Sequence, residues 1–140
     1  MSFVLDASVA LSWCFEDEGG DYVLEVLEAL RGSEAIVPAL WTLEVSHGLL
    51  VAERRGRLEP QAADRFIPML LALPIAVEPG SRSAAFGDIR RLARTHRLSA
   101  YDAAYLELSV RLALPLATTD APLGAAAEGE GVGRFGMPPP

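Results

Sequence analysis

Four short apolar runs, at residues 2–5, 35–37, 75–77 and 116–117, are separated from one another by at least one stretch of helical periodicity. A strand followed by a helix cannot turn straight back as a hairpin. It is joined to the next strand by a crossover, and crossovers build parallel sheets. The alternation therefore predicts an α/β fold, a three-layer α/β/α domain around a central, mainly parallel sheet.

Within that frame residues 7–15 read as a helix, followed by an acidic turn through Glu16, Asp17, Glu18 and two glycines. Residues 21–30 place Val23, Val26, Leu27 and Leu30 on one helical face. Pro38 suits a first helical turn, and a long helix is expected from there to about Arg55. Arg54, Arg55, Gly56 and Arg57 then turn the chain. Glu59 and Pro60 open another helix, which Pro68 is expected to kink or end because proline removes an internal hydrogen bond. Residues 82–96 read as one helix with arginines along a side, 100–113 as another, 121–127 as a short one and 132–135 as a weak last strand. No repeat or linker divides the chain, so residues 1–135 are expected to form a single domain and residues 136–140 a proline-rich tail.

Composition removes several function classes. All twelve basic residues are arginine. Without a lysine there is no Schiff-base or pyridoxal phosphate chemistry and no Walker-type phosphate loop. The lone cysteine, Cys14, lies between Trp13 and Phe15 and reads as a small buried hydrophobe rather than a nucleophile. No apolar run approaches the roughly 18 residues of a membrane span, and residues 1–20 lack a basic start and a cleavage site. The expectation is a soluble, cytoplasmic protein. The net charge of −7 is uneven: residues 1–50 carry nine acids and one arginine, residues 51–111 seven acids and ten arginines. Any nucleic-acid binding must therefore be local rather than a property of the overall field.

Four acids occupy positions where chemistry collects. In doubly wound sheets the functional crevice lies beyond the carboxyl ends of the strands. Asp6 ends the first strand, Asp120 follows the last one after two threonines, and Asp102 lies in the first turn of the preceding helix. Each of these three also fits a helix cap, with Ser99 and Asp102 at capping-box spacing. Glu44 does not: its neighbours on a helical stripe are Leu40, Trp41, His47, Gly48 and Val51, so its carboxylate faces inward. A buried carboxylate needs a partner. One reading is a structural pair with His47 or an arginine. The other is that Glu44 meets Asp6, Asp102 and Asp120 at one site, where mutual repulsion calls for a hard divalent cation such as magnesium or manganese. Such an ion activates water and offsets phosphodiester charge.

Taken together, V-L-D-A-S-V-A-L at 4–11, P-A-L-W-T-L-E-V at 38–45, L-S-A-Y-D-A-A-Y-L-E-L at 98–108 and L-A-T-T-D-A-P-L at 116–123 closely resemble the PIN-domain ribonuclease toxins of the VapC type. The resemblance runs in order over nearly the whole chain. It implies a magnesium- or manganese-dependent endoribonuclease, the toxin of a toxin–antitoxin pair with a VapB-type antitoxin, normally a homodimer, leaving 5′-phosphate and 3′-hydroxyl ends. By position Asp6, Glu44, Asp102 and Asp120 match the family's acidic quartet as metal ligands and catalytic groups. Thr118 matches a hydroxyl beside the last acid, and Ser8 a group that orients ligands or substrate. His47 stands where the family commonly has asparagine, so the surroundings of Glu44 differ from the family pattern.

For grip on RNA, Arg90, Arg91, Arg94 and Arg97 form one cluster and Arg54, Arg55 and Arg57 a second, either of which can hold phosphates or simply face solvent. His96, at an expected helix end, reads as a cap or dipole partner. Trp13, Trp41, Tyr101 and Tyr105 read as core or dimer packing before base stacking. A haloacid-dehalogenase-type phosphotransferase or a receiver domain would need a lysine that is absent. The remaining rival is a catalytically silent module that keeps the fold and the acids only to bind metal or a partner.

Overall fold

The computed structural model describes residues 1–18 and 20–136. Four strands, β1 (Phe3–Leu5), β2 (Ala35–Pro38), β3 (Ile75–Glu78) and β4 (Leu116–Ala117), form one sheet in the order β3-β2-β1-β4. Every pairing is parallel, with Val4 opposite both Ile36 and Leu116. The alternation of strands and helices thus produces the expected fold class. Phe3, Val4 and Leu5 are fully buried in succession, which requires cover on both faces of the sheet.

The helices are α1 (Ala7–Ser12), α2 (Asp21–Ala29), α3 (Leu40–Arg54), α4 (Pro60–Ala72), α5 (Arg82–Phe86), α6 (Asp88–His96), α7 (Ala100–Leu112) and α8 (Ala121–Gly129). A turn of 3-10 helix spans Glu16–Glu18. Seven consecutive residues of α7, Ala103 to Ser109, are buried, so this helix is enclosed rather than amphipathic. It lies across β1, β2 and β4 and carries α6 alongside. Among the described residues no helix is long and apolar enough to cross a membrane.

Several expectations change in the structure. Pro38 does not open a helix. It is the last residue of β2, opposite Glu78, where its missing N–H ends the ladder instead of interrupting it. Helix α1 stops at Ser12, short of residue 15. Pro68 lies inside α4 without ending it; both it and Asp64, the residue whose carbonyl it cannot bond, are exposed. The single helix expected over 82–96 is two helices, broken at Gly87 (φ −103°, ψ −102°), where a Cβ would lie 2.7 Å from the carbonyl oxygen of Ser83.

The weak last strand contributes only one bridge, Leu116 to Arg134, because Gly131 and Gly133 take left-handed φ values of 82° and 75° and break the extended run. The segment is nevertheless anchored. The Phe135 ring stacks on Phe3 with centroids 4.1 Å apart, and the Tyr22 hydroxyl donates to the Phe135 carbonyl at 2.8 Å. Of the expected 136–140 tail, residues 137–140 lie outside the described residues.

Candidate active site

The chain leaves β1 to build β2 and β3 on one side, and returns to place β4 on the other. The reversal leaves a crevice at the carboxyl ends of β1 and β4. Asp6 sits there, only 6% exposed. It occupies the N-cap position of α1 with extended backbone, yet its side chain makes no cap bond. Instead its Oδ2 accepts from Ser8 Oγ at 2.8 Å and from Thr118 Oγ1 at 2.7 Å. Burial pushes the Asp6 carboxyl above its ordinary pKa. The two hydroxyls pull against that shift, and the Asp120 charge adds to it.

Thr118 is completely buried, and its Oγ1 also accepts from the Asp120 N–H at 3.0 Å. One hydroxyl therefore ties the end of β1 to the turn after β4. Thr119 reinforces the tie by donating to Ser8 Oγ at 3.3 Å. Arg134 donates to the Thr118 carbonyl at 3.3 Å, lying over Gly124, where a Cβ would come within 2.7 Å of its side chain.

Glu44 reaches the same crevice from α3, but not by the route its sequence neighbours suggest. The buried stripe of α3 is Trp41, Val45, Leu49 and Ala52. Glu44 lies half-buried at its flank, in line with Gly48, where a Cβ would meet Leu11. Its partner is neither His47 nor an arginine. The Tyr105 hydroxyl, on α7, donates to Glu44 Oε1 at 2.5 Å. Burial and then the Glu44 hydrogen bond hold the Tyr105 phenol far above its usual pKa, so it stays a donor. Glu44 itself is pushed up by burial, relieved by Tyr105, and pushed further by Asp6 and Asp102.

Asp102 lies in the first turn of α7, where Ser99 Oγ caps the helix by accepting from the Asp102 N–H at 3.0 Å. Its carboxyl is raised by burial first, then by Asp120 and Asp6. Asp120 is a true N-cap: its Oδ1 accepts from the Leu123 N–H at 3.0 Å. For this residue the capping reading and a place at the site hold together. The charges of Asp6, Glu44, Asp102 and Asp120 thus act on one another across the crevice. Among the described residues no salt bridge reaches any of them.

The donor set, four carboxylates without a basic partner, fits a hard divalent cation chemically. The side chains are not arranged as a finished shell, since among the described residues no three His, Cys, Asp or Glu groups are placed to hold one ion. Asp6 is fixed by two hydroxyls, whereas Asp102 is half-buried with no side-chain partner closer than its own cap.

The remaining sequence candidates divide. His47 is exposed and makes no hydrogen bond to Glu44 among the described residues. Arg57 leaves the second arginine cluster: it binds Asp17 at 3.2 Å and Glu18 at 2.8 Å and lies 4.5 Å over the Phe15 ring. Arg54 and Arg55 remain exposed at the far end of α3, ten or more residues from Glu44, about 15 Å of helix. Arg91 pairs with Asp88, and Arg97 leaves the helical face by ending α6 in a left-handed conformation. Arg90 and Arg94 stay exposed on α6. His96 pairs with Glu130 at 2.7 Å. Trp13 donates to the Val23 carbonyl at 2.7 Å, and Trp41 is core, but Tyr101 stands out in solvent. Cys14 is half-buried, its thiol pushed up by burial. The residues that sequence reasoning undervalued are Tyr105, Thr119 and Arg134. The one-turn spacing from Asp102 to Tyr105, which puts them on neighbouring faces of one helix, was the available signal for the first.

Comparison with known proteins agrees with the fold. The profile of the PIN domain family matches residues 3–128. The crystal structure of PAE2754 from Pyrobaculum aerophilum superposes with a TM-score of 0.71 over 92% of this chain and 87% of that one, at 21% identity, which is a likeness of fold. None of the curated proteins matches.

Proposed function

Because the chain belongs to the PIN domain family, whose members are generally nucleases, we propose that it is a divalent-cation-dependent endoribonuclease and the toxin of a toxin–antitoxin pair. The observation that carries this reading is the set of mutually repelling carboxylates at the switch point of the sheet, with no salt bridge to neutralise them among the described residues. The toxin role rests on the four sequence blocks that resemble VapC-type proteins, and so do the expected VapB-type antitoxin, homodimer and cytoplasmic setting.

Asp6, Glu44 and Asp102 would hold the ion, magnesium or manganese, with Asp120 completing the site. The ion would activate water for attack and offset the charge that builds on the phosphodiester. The protein's own groups do the rest. Ser8 and Thr118 hold the Asp6 carboxylate in one orientation, and Tyr105 does the same for Glu44. Thr118 also fixes the turn that presents Asp120. Four ionised carboxylates repel an RNA phosphate, so substrate approaches productively only once their charge is compensated. Exposed Arg90 and Arg94, on the helix preceding Asp102, would supply the opposite sign.

Two expected outcomes test this. Purified protein with manganese should degrade single-stranded RNA and leave 5′-phosphate ends, and a chelator should stop it. A chelator-resistant activity leaving cyclic phosphates would mean a histidine-driven reaction, and no cleavage under any metal would leave a silent binding module. Co-expression with the product of an adjacent short reading frame should suppress the cleavage if the toxin assignment holds. Separately, reversing the charge at Arg90 and Arg94 (R90E/R94E) should weaken RNA binding and reduce the log–log salt slope by about 1.4, two single-strand phosphate contacts. An unchanged slope would remove α6 from the RNA path.

A further inference from the structure

Beside the carboxylates, and lined by none of them, lies a separate cavity of about 810 Å³. It is bordered by the carboxyl ends of β2 and β3, by α5 and by one face of α7. Its size and mainly apolar lining, which includes Leu40, Ile89, Ala104 and Leu108, are those of a ligand site rather than a packing defect. Its polar wall is a chain of three charges. Arg111 Nε donates to Glu107 Oε1 at 2.8 Å, and Arg111 Nη1 donates to Glu78 Oε1 at 3.2 Å. Glu107 is only 6% exposed. Burying a carboxylate costs several kcal/mol unless it is paired. Arg111 supplies that pairing at both Glu107 oxygens, its Nη2 reaching Oε2 at 3.4 Å, so the acceptor left open among the described residues is the second oxygen of the half-buried Glu78.

The mouth of the cavity has its own marker. Tyr101, Ala104, Leu108 and Arg111 follow helical spacing along one face of α7. Tyr101 therefore stands a turn beyond the lining residue Ala104, at the end nearest Asp102, and it is 66% exposed. An aromatic ring held in solvent there is a stacking surface, and the residue after it is one of the four acids.

We propose that this cavity is a nucleobase subsite that takes guanine from the substrate strand. The assignment rests on the endoribonuclease reading and deepens it by naming the base. A strand whose phosphodiester lies at the carboxylates can turn the neighbouring base past Tyr101 into the cavity. The base faces meet apolar side chains, and its edge meets Glu78. Guanine offers two adjacent donors, the ring N1–H and the exocyclic amino group, to a carboxylate. Uracil would bring carbonyl oxygens against the same wall. Such a pocket accepts only an unstacked base, so the substrate is single-stranded at the cut.

The test compares guanosine 5′-monophosphate with uridine 5′-monophosphate by NMR titration, in chelator so that no metal bridges the phosphate they share. The guanine nucleotide should bind at least about tenfold more tightly, the discrimination that one good pair of base-edge hydrogen bonds supplies. Ser83 lines the cavity from an exposed position on α5, so S83W crowds it without disturbing the core. It should reduce the preference, and E78Q should bring the ratio close to one. Equal binding of the two nucleotides, or a preference that survives both S83W and E78Q, overturns the subsite. Wild-type protein that binds the guanine nucleotide selectively but cuts no RNA would sustain the subsite and sink the nuclease reading. Cleavage of a random RNA pool with no guanine enrichment near the cut would sink the subsite alone.

Discussion

Asp6→Asn is expected to reduce RNA cleavage to background while leaving the melting temperature unchanged or higher. The activity loss should exceed the roughly 10–100-fold that removing a mere supporting partner of a metal ligand costs, because Asp6 is the most rigidly held of the four carboxylates. The stability gain follows from its raised pKa. The folded protein holds this proton more tightly than the unfolded chain, whose value is the ordinary 3.8. The ionised carboxylate therefore costs stability, a cost absent below pH 3.8 and complete once pH passes the folded value. Asparagine removes it, and its carbonyl oxygen can still accept from Ser8 and Thr118. The melting-temperature advantage of Asp6→Asn should accordingly be small in acid and grow with pH through that window. Thermal melts at several pH values and a single-turnover cleavage assay check both halves. Wild-type cleavage by this variant would remove Asp6 from the chemistry.

Tyr105→Phe carries the second large effect. Phenylalanine keeps the ring, so the fold should persist, but Glu44 loses the only side-chain hydrogen-bond donor it has among the described residues. A bond to a charged group contributes about 1.5–3 kcal/mol, and the carboxyl, already pushed up by burial, should rise further without it. Manganese affinity, measured calorimetrically without RNA, is expected to fall about 10–100-fold. Cleavage should recover at high manganese, because the phenol orients Glu44 and does not touch the substrate. An unchanged manganese affinity would reduce Tyr105 to packing.

These two residues mark how much of the site could be read from the chain. Asp6 is legible because an aspartate that ends a buried apolar run has few alternatives once the run is a parallel strand. Asp120 and Asp102 are legible as caps, and the structure keeps Asp120 and Ser99 in that role while placing both acids at the crevice. Glu44 is legible as misplaced on an apolar helix, but its partner is not. The local candidate, His47, is one turn away in sequence and points to solvent, whereas Tyr105 is 61 positions distant. Helical periodicity reports which face of α3 turns inward and carries no information about which helix lies opposite.

The arginines show the same limit. Arg54, Arg55 and Arg57 are one cluster in sequence, yet Arg57 is taken by Asp17 and Glu18 from a loop some 40 residues earlier. Breaks within elements also depended on contacts. Gly87 divides α5 from α6 because only a residue without a Cβ fits against the Ser83 carbonyl, and Pro68 sits within α4 on its exposed side.

The order of strands and helices, the parallel sense of the sheet and the identity of the four acids were set by periodicity and composition, since these depend on near neighbours along the chain. Which hydroxyl holds which carboxylate, which arginines are paired and where a cavity opens were decided only when segments far apart in sequence came into contact. Hydrogen bonds and ion pairs act over a few ångströms, so their partners are fixed by the fold and not by spacing in the sequence.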